Sequence, residues 1–438
     1  MYGTIIGNII AIAYYLYFQI LGVFIINYCF RKEQTLHKIL LGSVTGSLLV
    51  TWLPILLAFL FDFTVLAHVV AVIVTLPIFV FILYRQKKDS SANVLAPNTA
   101  APADDYTDSR GMLGKITFSF KKHALFIAIL SLFMVFWVYL LHTHTILPGA
   151  NGDIRTGQCT YGDMNMHLGF ITSLAVQQNF PPDYSIMPGV KLSYPFLSDS
   201  ISSSLYVLGA SLRLSYILPM VFAMAQIFTT VYLFANTLFA SLRKSMLVLT
   251  LFFLNGGLGF VYFIDWGQER LYEFSDIFTG FYTTPTNLVE QNIRWVNVIA
   301  DMFLPQRATL FGYAVLFPTL WLLYRAVFRE HREFFFIAGL FASALPMIHT
   351  HSFLSAGIIS AVWLLLWLKH HAPQTRNWAP YILAAFVIIM CILQKFKNAG
   401  LLTANILVVI GISIFVRLSH SENTPYSMLV TALGILML

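Results

Sequence analysis

The sequence predicts an all-α polytopic membrane protein, and three observations carry that reading. Of its 438 residues, 58% are hydrophobic and 10% charged, whereas a water-soluble chain is about half apolar and about a quarter charged. The apolar residues fall in long runs bounded by charge, as spans of roughly 20 residues do. Basic residues gather between alternate runs, the pattern of cytoplasmic loops. A large soluble catalytic domain is excluded, and there is room for a bundle of about 12 transmembrane helices at that span length.

Taken in order, spans are expected at residues 5–30, 39–61, 65–84, 124–147, 215–239, 246–264, 306–324, 334–350, 352–368, 378–394, 400–416 and from 426 onward. The first run is too long for a signal-peptide core and has no basic residue before it, so it reads as a retained span. Between the spans lie Arg31, Lys32 and Lys38; Arg85, Lys87, Lys88, Arg110, Lys115, Lys121 and Lys122; Arg243 and Lys244; Arg325, Arg329 and Arg332; Lys369 and Arg376; and Arg417. With the N-terminus outside, all of these share one side, the cytoplasm. The formal charge of +7 therefore reports loop topology, and no nucleic-acid partner is expected. More than half of the 19 acidic residues fall on the opposite side. Cys29, Cys159 and Cys391 show neither metal-ligand nor redox spacing.

Three domains follow: residues 1–84 as three leading transmembrane helices, 85–122 as a cytoplasmic linker, and 123–438 as the transmembrane core. The middle of the linker, Ser90 to Asp108, is too poor in apolar residues to fold alone. The chain stops inside its last apolar run, which begins at Met428, so a truncated C-terminus is expected. Phe196 to Arg213 tempts a further span but carries Ser198, Asp199, Ser200, Ser202, Ser203 and Ser204. Counting it would put Arg243 and Lys244 outside, so it reads as a helix lying along the outer interface.

The first outer loop, Pro148 to Arg213, opens with Gly, Asn and Asp turn formers and reaches Tyr161-Gly162-Asp163-Met164-Asn165-Met166-His167-Leu168. Met164, Leu168, Ile171, Leu174 and Ala175 follow Asp163 at helical spacing until Pro181 and Pro182. Asp163 thus sits at a helix start, either as a simple cap or as a functional carboxylate, and His167 shares its face four residues on.

This order of parts resembles the GT-C glycosyltransferases, the protein-mannosyltransferase-like and aminoarabinose-transferase-like enzymes that use polyprenyl-phosphate sugars. The resemblance covers roughly Lys121 to His351: a span rising from a basic stretch, an early Asp on an outer interfacial helix, and a second Pro-containing interfacial helix at Tyr194-Pro195-Phe196-Leu197. It implies a GT-C-like bundle and an acidic catalytic base in the first outer loop, often one of an Asp-Glu pair. Only Asp163 matches here, followed by Met164.

The chemistry asks for the same groups. An acceptor hydroxyl needs a base within hydrogen-bond reach as it attacks the anomeric carbon, and the departing lipid phosphate needs a fixed cation. Asp163 is the expected base with Asp153 in reserve, and Arg307, in Leu304-Pro305-Gln306-Arg307-Ala308, is the expected phosphate partner, unless it only snorkels to the headgroups. His167, Tyr194, Asp199, His349 and His351 complete the expected substrate pocket. His142-Thr143-His144 and His349-Thr350-His351 end two spans, but histidines two apart on a helix diverge, so metal binding would need a helix break such as Pro346 offers.

The second outer loop, Asp265 to Pro305, follows Asn255-Gly256-Gly257-Leu258-Gly259, whose glycines suit close helix packing. Asp265, Glu269 and Glu273 make an acidic stripe if helical, and Tyr272, Phe278, Phe281, Tyr282 and Trp295 fit a sugar platform or an interfacial belt. The oligosaccharyltransferase relatives hold a metal between two such loops. Neither loop has an Asp-x-Asp pair, so no metal is assigned, a divalent ion stays open, and no cofactor is named.

The expected function is glycosyl transfer from a polyprenyl-phosphate sugar to a glycan, lipid or protein acceptor, with inversion, on the extracytoplasmic face of a cell (plasma) membrane. Nucleotide sugars are not normally supplied there, whereas a membrane-dissolved donor enters sideways between helices. A lipid or sugar transporter or flippase is the first rival, although transporters tend to carry internal repeats and midplane charges that are not evident here. A noncatalytic GT-C-like assembly protein is the second. No Asn-x-Ser/Thr sequon occurs, which favours a bacterial membrane.

Overall fold

The computed structural model describes residues 3–93, 123–149, 151, 153–157, 160–187, 189–255, 287–288, 293–294 and 297–371. The spans expected at 378–394, 400–416 and from 426, most of the 85–122 linker, the Gly256 to Gly259 run, the acidic stripe, the loop aromatics, Cys159 and Cys391 lie outside the described residues. The chain divides into two compact units, Met1–Phe311 and Gly312–Leu438.

The first unit is built on α1 (Ile5–Cys29), α2 (Thr35–Phe61), α3 (Val65–Asn93), α4 (Ala124–His144), α5 (Tyr161–Val176), α6 (Leu197–Val207), α7 (Leu212–Phe239) and α8 (Leu242–Phe253). A hairpin, β1 (Ile146–Pro148) with β2 (Ile154–Thr156), pairs Leu147 with Arg155. A second small hairpin joins Asn287–Leu288 to Ile293–Arg294, and a π-helical turn, Val298–Phe303, precedes α9 (Arg307–Phe328). Among the described residues six helices are long and apolar enough to cross a membrane: α1, α2, α3 over Val65–Gln86, α4, α7 and α9. The expected span starts match these helices to within a few residues, because a bilayer demands a length and a composition that hydropathy reads directly. The α3 helix continues to Asn93, into the stretch expected to be linker.

Glycines bring α1 and α2 together. A side chain on Gly22 would fall 2.1 Å from the Gly42 carbonyl oxygen, and one on Gly46 would fall 2.4 Å from that of Phe18. Gly42 and Gly46 are thus a small-xxx-small pair used for backbone contact. Beside this seam the Gln19 amide lies 2.7 Å from Ser43 Oγ and 3.1 Å from Ser47 Oγ. From α7, Gln226 Nε2 donates to both serines at 2.9 and 3.0 Å.

One end of the first unit collects the helix ends that flank residues 148–211. The Ser211 amide before α7 donates to Asn8 Oδ1 near the start of α1, at 2.8 Å. Arg213 Nη2 donates to the His142 carbonyl at the end of α4, at 2.7 Å, and Phe59 near the end of α2 meets Phe180, ring centroids 4.8 Å apart. The chain therefore leaves α4 and enters α7 at one level, and α6 does not cross. Its 11 residues would reach only about 16 Å.

The interfacial placement expected for Phe196 to Arg213 is where structure and sequence differ. Leu197 through Leu205 are all buried, and α6 packs against α1, α2, α5 and α7. Its serines fit such a place because they are small and find partners at hand: Ser202 Oγ donates to the Ser215 carbonyl at 2.6 Å, and Ser203 Oγ to those of Ile171 and Asp199 at 3.2 and 3.1 Å. A serine-rich stretch reads as surface only while those carbonyls are unknown.

In the second unit, α9 continues past Gly312 and is followed by α10 (Phe334–Ile348) and α11 (Thr350–His371). The Arg325 guanidinium lies 4.4 Å from the Phe334 ring centroid and 5.2 Å from that of Trp321.

Candidate functional site

The site begins at the N-terminal turn of α5. Thr160 precedes the helix, and its hydroxyl donates to the His144 and Gly157 carbonyls, at 2.7 and 3.0 Å, tying the helix start to the end of α4. Asp163 therefore stands in the first turn and is not the cap residue. A carboxylate there is favoured by the exposed amides of the helix terminus. It is half-buried, and among the described residues no hydrogen-bond or ion-pair partner engages it.

One turn on, His167 is 1% exposed and points its Nδ1 at Asp199 of α6, 2.9 Å from Oδ2 and 3.1 Å from Oδ1. Asp199 and Arg307 are both fully buried, with Arg307 Nε 3.3 Å from Asp199 Oδ1. The guanidinium also donates from Nε to the Ser198 carbonyl at 3.1 Å, from Nη1 to the Tyr216 carbonyl at 2.8 Å, and from Nη2 to Ser202 Oγ. Tyr216 and Phe311 place their rings 4.5 and 4.8 Å from it. A lone buried cation costs several kcal/mol; here the carboxylate, the carbonyls and the ring faces share that charge. Snorkelling is not what Arg307 does, and its charge is matched by Asp199. Among the described residues the buried hydroxyls of Ser198 and Ser215, next to the carbonyls that this cluster engages, have no hydrogen-bond partner.

Tyr194, half-buried on the chain entering α6, sets its ring edge-on to His167, centroids 6.2 Å apart, and lies 5.6 Å from that of Phe170. Burial first, then the Asp199 and Asp163 carboxylates, pushes its phenol up to about 12. It is a neutral hydrogen-bond donor at physiological pH.

The structure thus gathers Asp163, His167, Tyr194, Asp199 and Arg307 in the first unit. Asp153 is outside this group, on the β1–β2 hairpin, where Arg155 Nε lies 3.1 Å from its Oδ2 and holds its carboxyl below the usual range. His349 and His351 belong to the second unit. The helix break foreseen near Pro346 is present: α10 stops at Ile348 and His349 is extended. The two imidazoles approach to 5.3 Å between centroids, with His349 Nδ1 2.8 Å from Ser352 Oγ. Among the described residues no three His, Cys, Asp or Glu side chains group as metal ligands.

Two members were not foreseen. Tyr216 and Ser202 carry no local signal for contact with Arg307, which lies about ninety to a hundred residues further along the chain. Searched against known proteins, the chain matches no family model, no curated protein and no solved structure.

Proposed function

We propose that this chain is an integral-membrane glycosyltransferase that moves a sugar from a polyprenyl-phosphate donor to an acceptor hydroxyl on the extracytoplasmic face, with inversion. The observation that carries the reading is the α5 face: a half-buried carboxylate, Asp163, without a hydrogen-bond or ion-pair partner among the described residues, one turn from an imidazole that is itself held by a buried Asp199–Arg307 pair. Such a face offers proton acceptors for a hydroxyl. The end of the first unit that presents it is opposite the Arg31, Lys32 and Lys38 cluster, which lies in the turn after α1 and the first turn of α2. By the positive-inside rule that cluster is cytoplasmic, so the face opens outward, where lipid-linked sugars are the available donors.

In this reading Asp163 contacts the acceptor and the sugar, Tyr194 donates to a substrate oxygen, and Arg307 fixes the Asp199 carboxyl in place from within. Asp153 is the reserve carboxylate. The test is transfer by the purified protein in nanodiscs supplied with a panel of polyprenyl-phosphate hexoses and pentoses. Acceptor-dependent release of polyprenyl phosphate is expected, with Asp163→Asn reducing it about 10²–10³-fold. Full activity in that variant would remove Asp163 from the chemistry.

A further inference from the structure

Asp163 is the open carboxylate of the α5 face, yet the geometry around His167 is more specialised. Its Nδ1 meets a carboxylate, which only accepts, so Nδ1 carries a proton and the neutral ring keeps its lone pair on Nε2. Asp199 is wholly buried and anchored by Arg307, so the imidazole is fixed in tautomer and orientation from behind. Among the described residues nothing hydrogen-bonds Nε2, although the ring is 1% exposed. A merely structural histidine at that depth gains by partnering both nitrogens.

We propose that His167 is the proton acceptor of the transfer reaction, with Nε2 as the basic atom and Asp199 as its positioning residue, while Asp163 holds the acceptor and faces the positive charge that develops on the sugar. The assignment rests on the glycosyl-transfer reading. In the step, the acceptor O–H proton passes to Nε2 and the oxygen's electron pair forms the bond to the anomeric carbon. The bond from that carbon to the phosphate oxygen breaks with its pair, and polyprenyl phosphate leaves with the negative charge. The imidazolium is stabilised by Asp199 until it returns its proton to water. Among the described residues, the charged and titratable groups around the ring are Asp199 from α6 and Tyr194 from the preceding chain, with Arg307 behind Asp199 and Asp163 one turn away on the same helix face.

The test uses the full chain in nanodiscs. His167→Asn keeps an amide N–H for Asp199 but has no base, and should lower kcat about 10²–10⁴-fold with KM little changed and the thermal midpoint retained. His167→Gly should regain part of that rate when free imidazole is added, which a packing role would not allow. Full activity in the Asn variant, or no imidazole rescue in a folded Gly variant, overturns the proposal. A second readout needs no substrate: diethyl pyrocarbonate should modify Nε2 of His167 in the folded wild type, with the exposed His142 as the positive control. An adduct on His142 with none on His167 also overturns it. Donor left unconsumed by the wild type would refute glycosyl transfer itself, while the carbethoxylation result still decides whether His167 Nε2 is an open base.

Discussion

Two polar networks meet at α7, and they differ in kind. The one between α1, α2 and α7 joins Gln19, Ser43, Ser47 and Gln226, all neutral, beside a glycine seam. The one between α5, α6, α7 and the start of α9 holds the Arg307–Asp199 ion pair, and among the described residues it leaves the buried Ser198 and Ser215 hydroxyls beside it without a hydrogen-bond partner. Neutral amide–hydroxyl contacts hold helices together at little cost, about 0.6 kcal/mol per contact in bilayers. Buried charges with unspent hydrogen-bonding capacity do not repay their desolvation through stability. The second network therefore reads as a site and the first as glue.

The sharpest way to break this contrast is Arg307→Met. It strands Asp199 as an unpaired buried anion, and a loss of about 3–5 kcal/mol is expected, read as a fall in the thermal midpoint in detergent. Arg307→Met with Asp199→Asn should recover much of that loss, whereas additive losses would show that the two side chains are not a pair. Next in size is Gly46→Leu, which drives a side chain into the Phe18 backbone and should destabilise the α1–α2 seam by about 1–3 kcal/mol, with any surviving folded protein keeping its transfer rate. Gln226→Leu should cost only about 0.6 kcal/mol and leave activity unchanged; a large activity loss would mean that the neutral network belongs to the site. The smallest expected effect is that of Asp153→Asn, whose exposed pairing with Arg155 should alter neither the unfolding midpoint nor turnover, as tested in the same two assays.

These outcomes also mark where sequence reasoning reaches. The spans were legible because a bilayer imposes length and apolarity on every helix, and Asp163 with His167 was legible because residues four apart share a helix face. The burial of α6 was not, since Ser198 to Ser204 look polar until the Ile171 and Ser215 carbonyls are found beside them. Nor was the role of Arg307: an arginine opening a span fits a headgroup anchor equally well, and only its meeting with Asp199, 108 positions earlier, shows the charge to be matched internally.

The account depends most directly on the side to which the α5 face opens. In a background with Cys29, Cys159 and Cys391 replaced by Ser, a cysteine introduced by Asp163→Cys should react with a membrane-impermeant maleimide added to intact cells. Labelling confined to opened cells would place Asp163 in the cytoplasm and contradict an extracytoplasmic, lipid-linked sugar transfer.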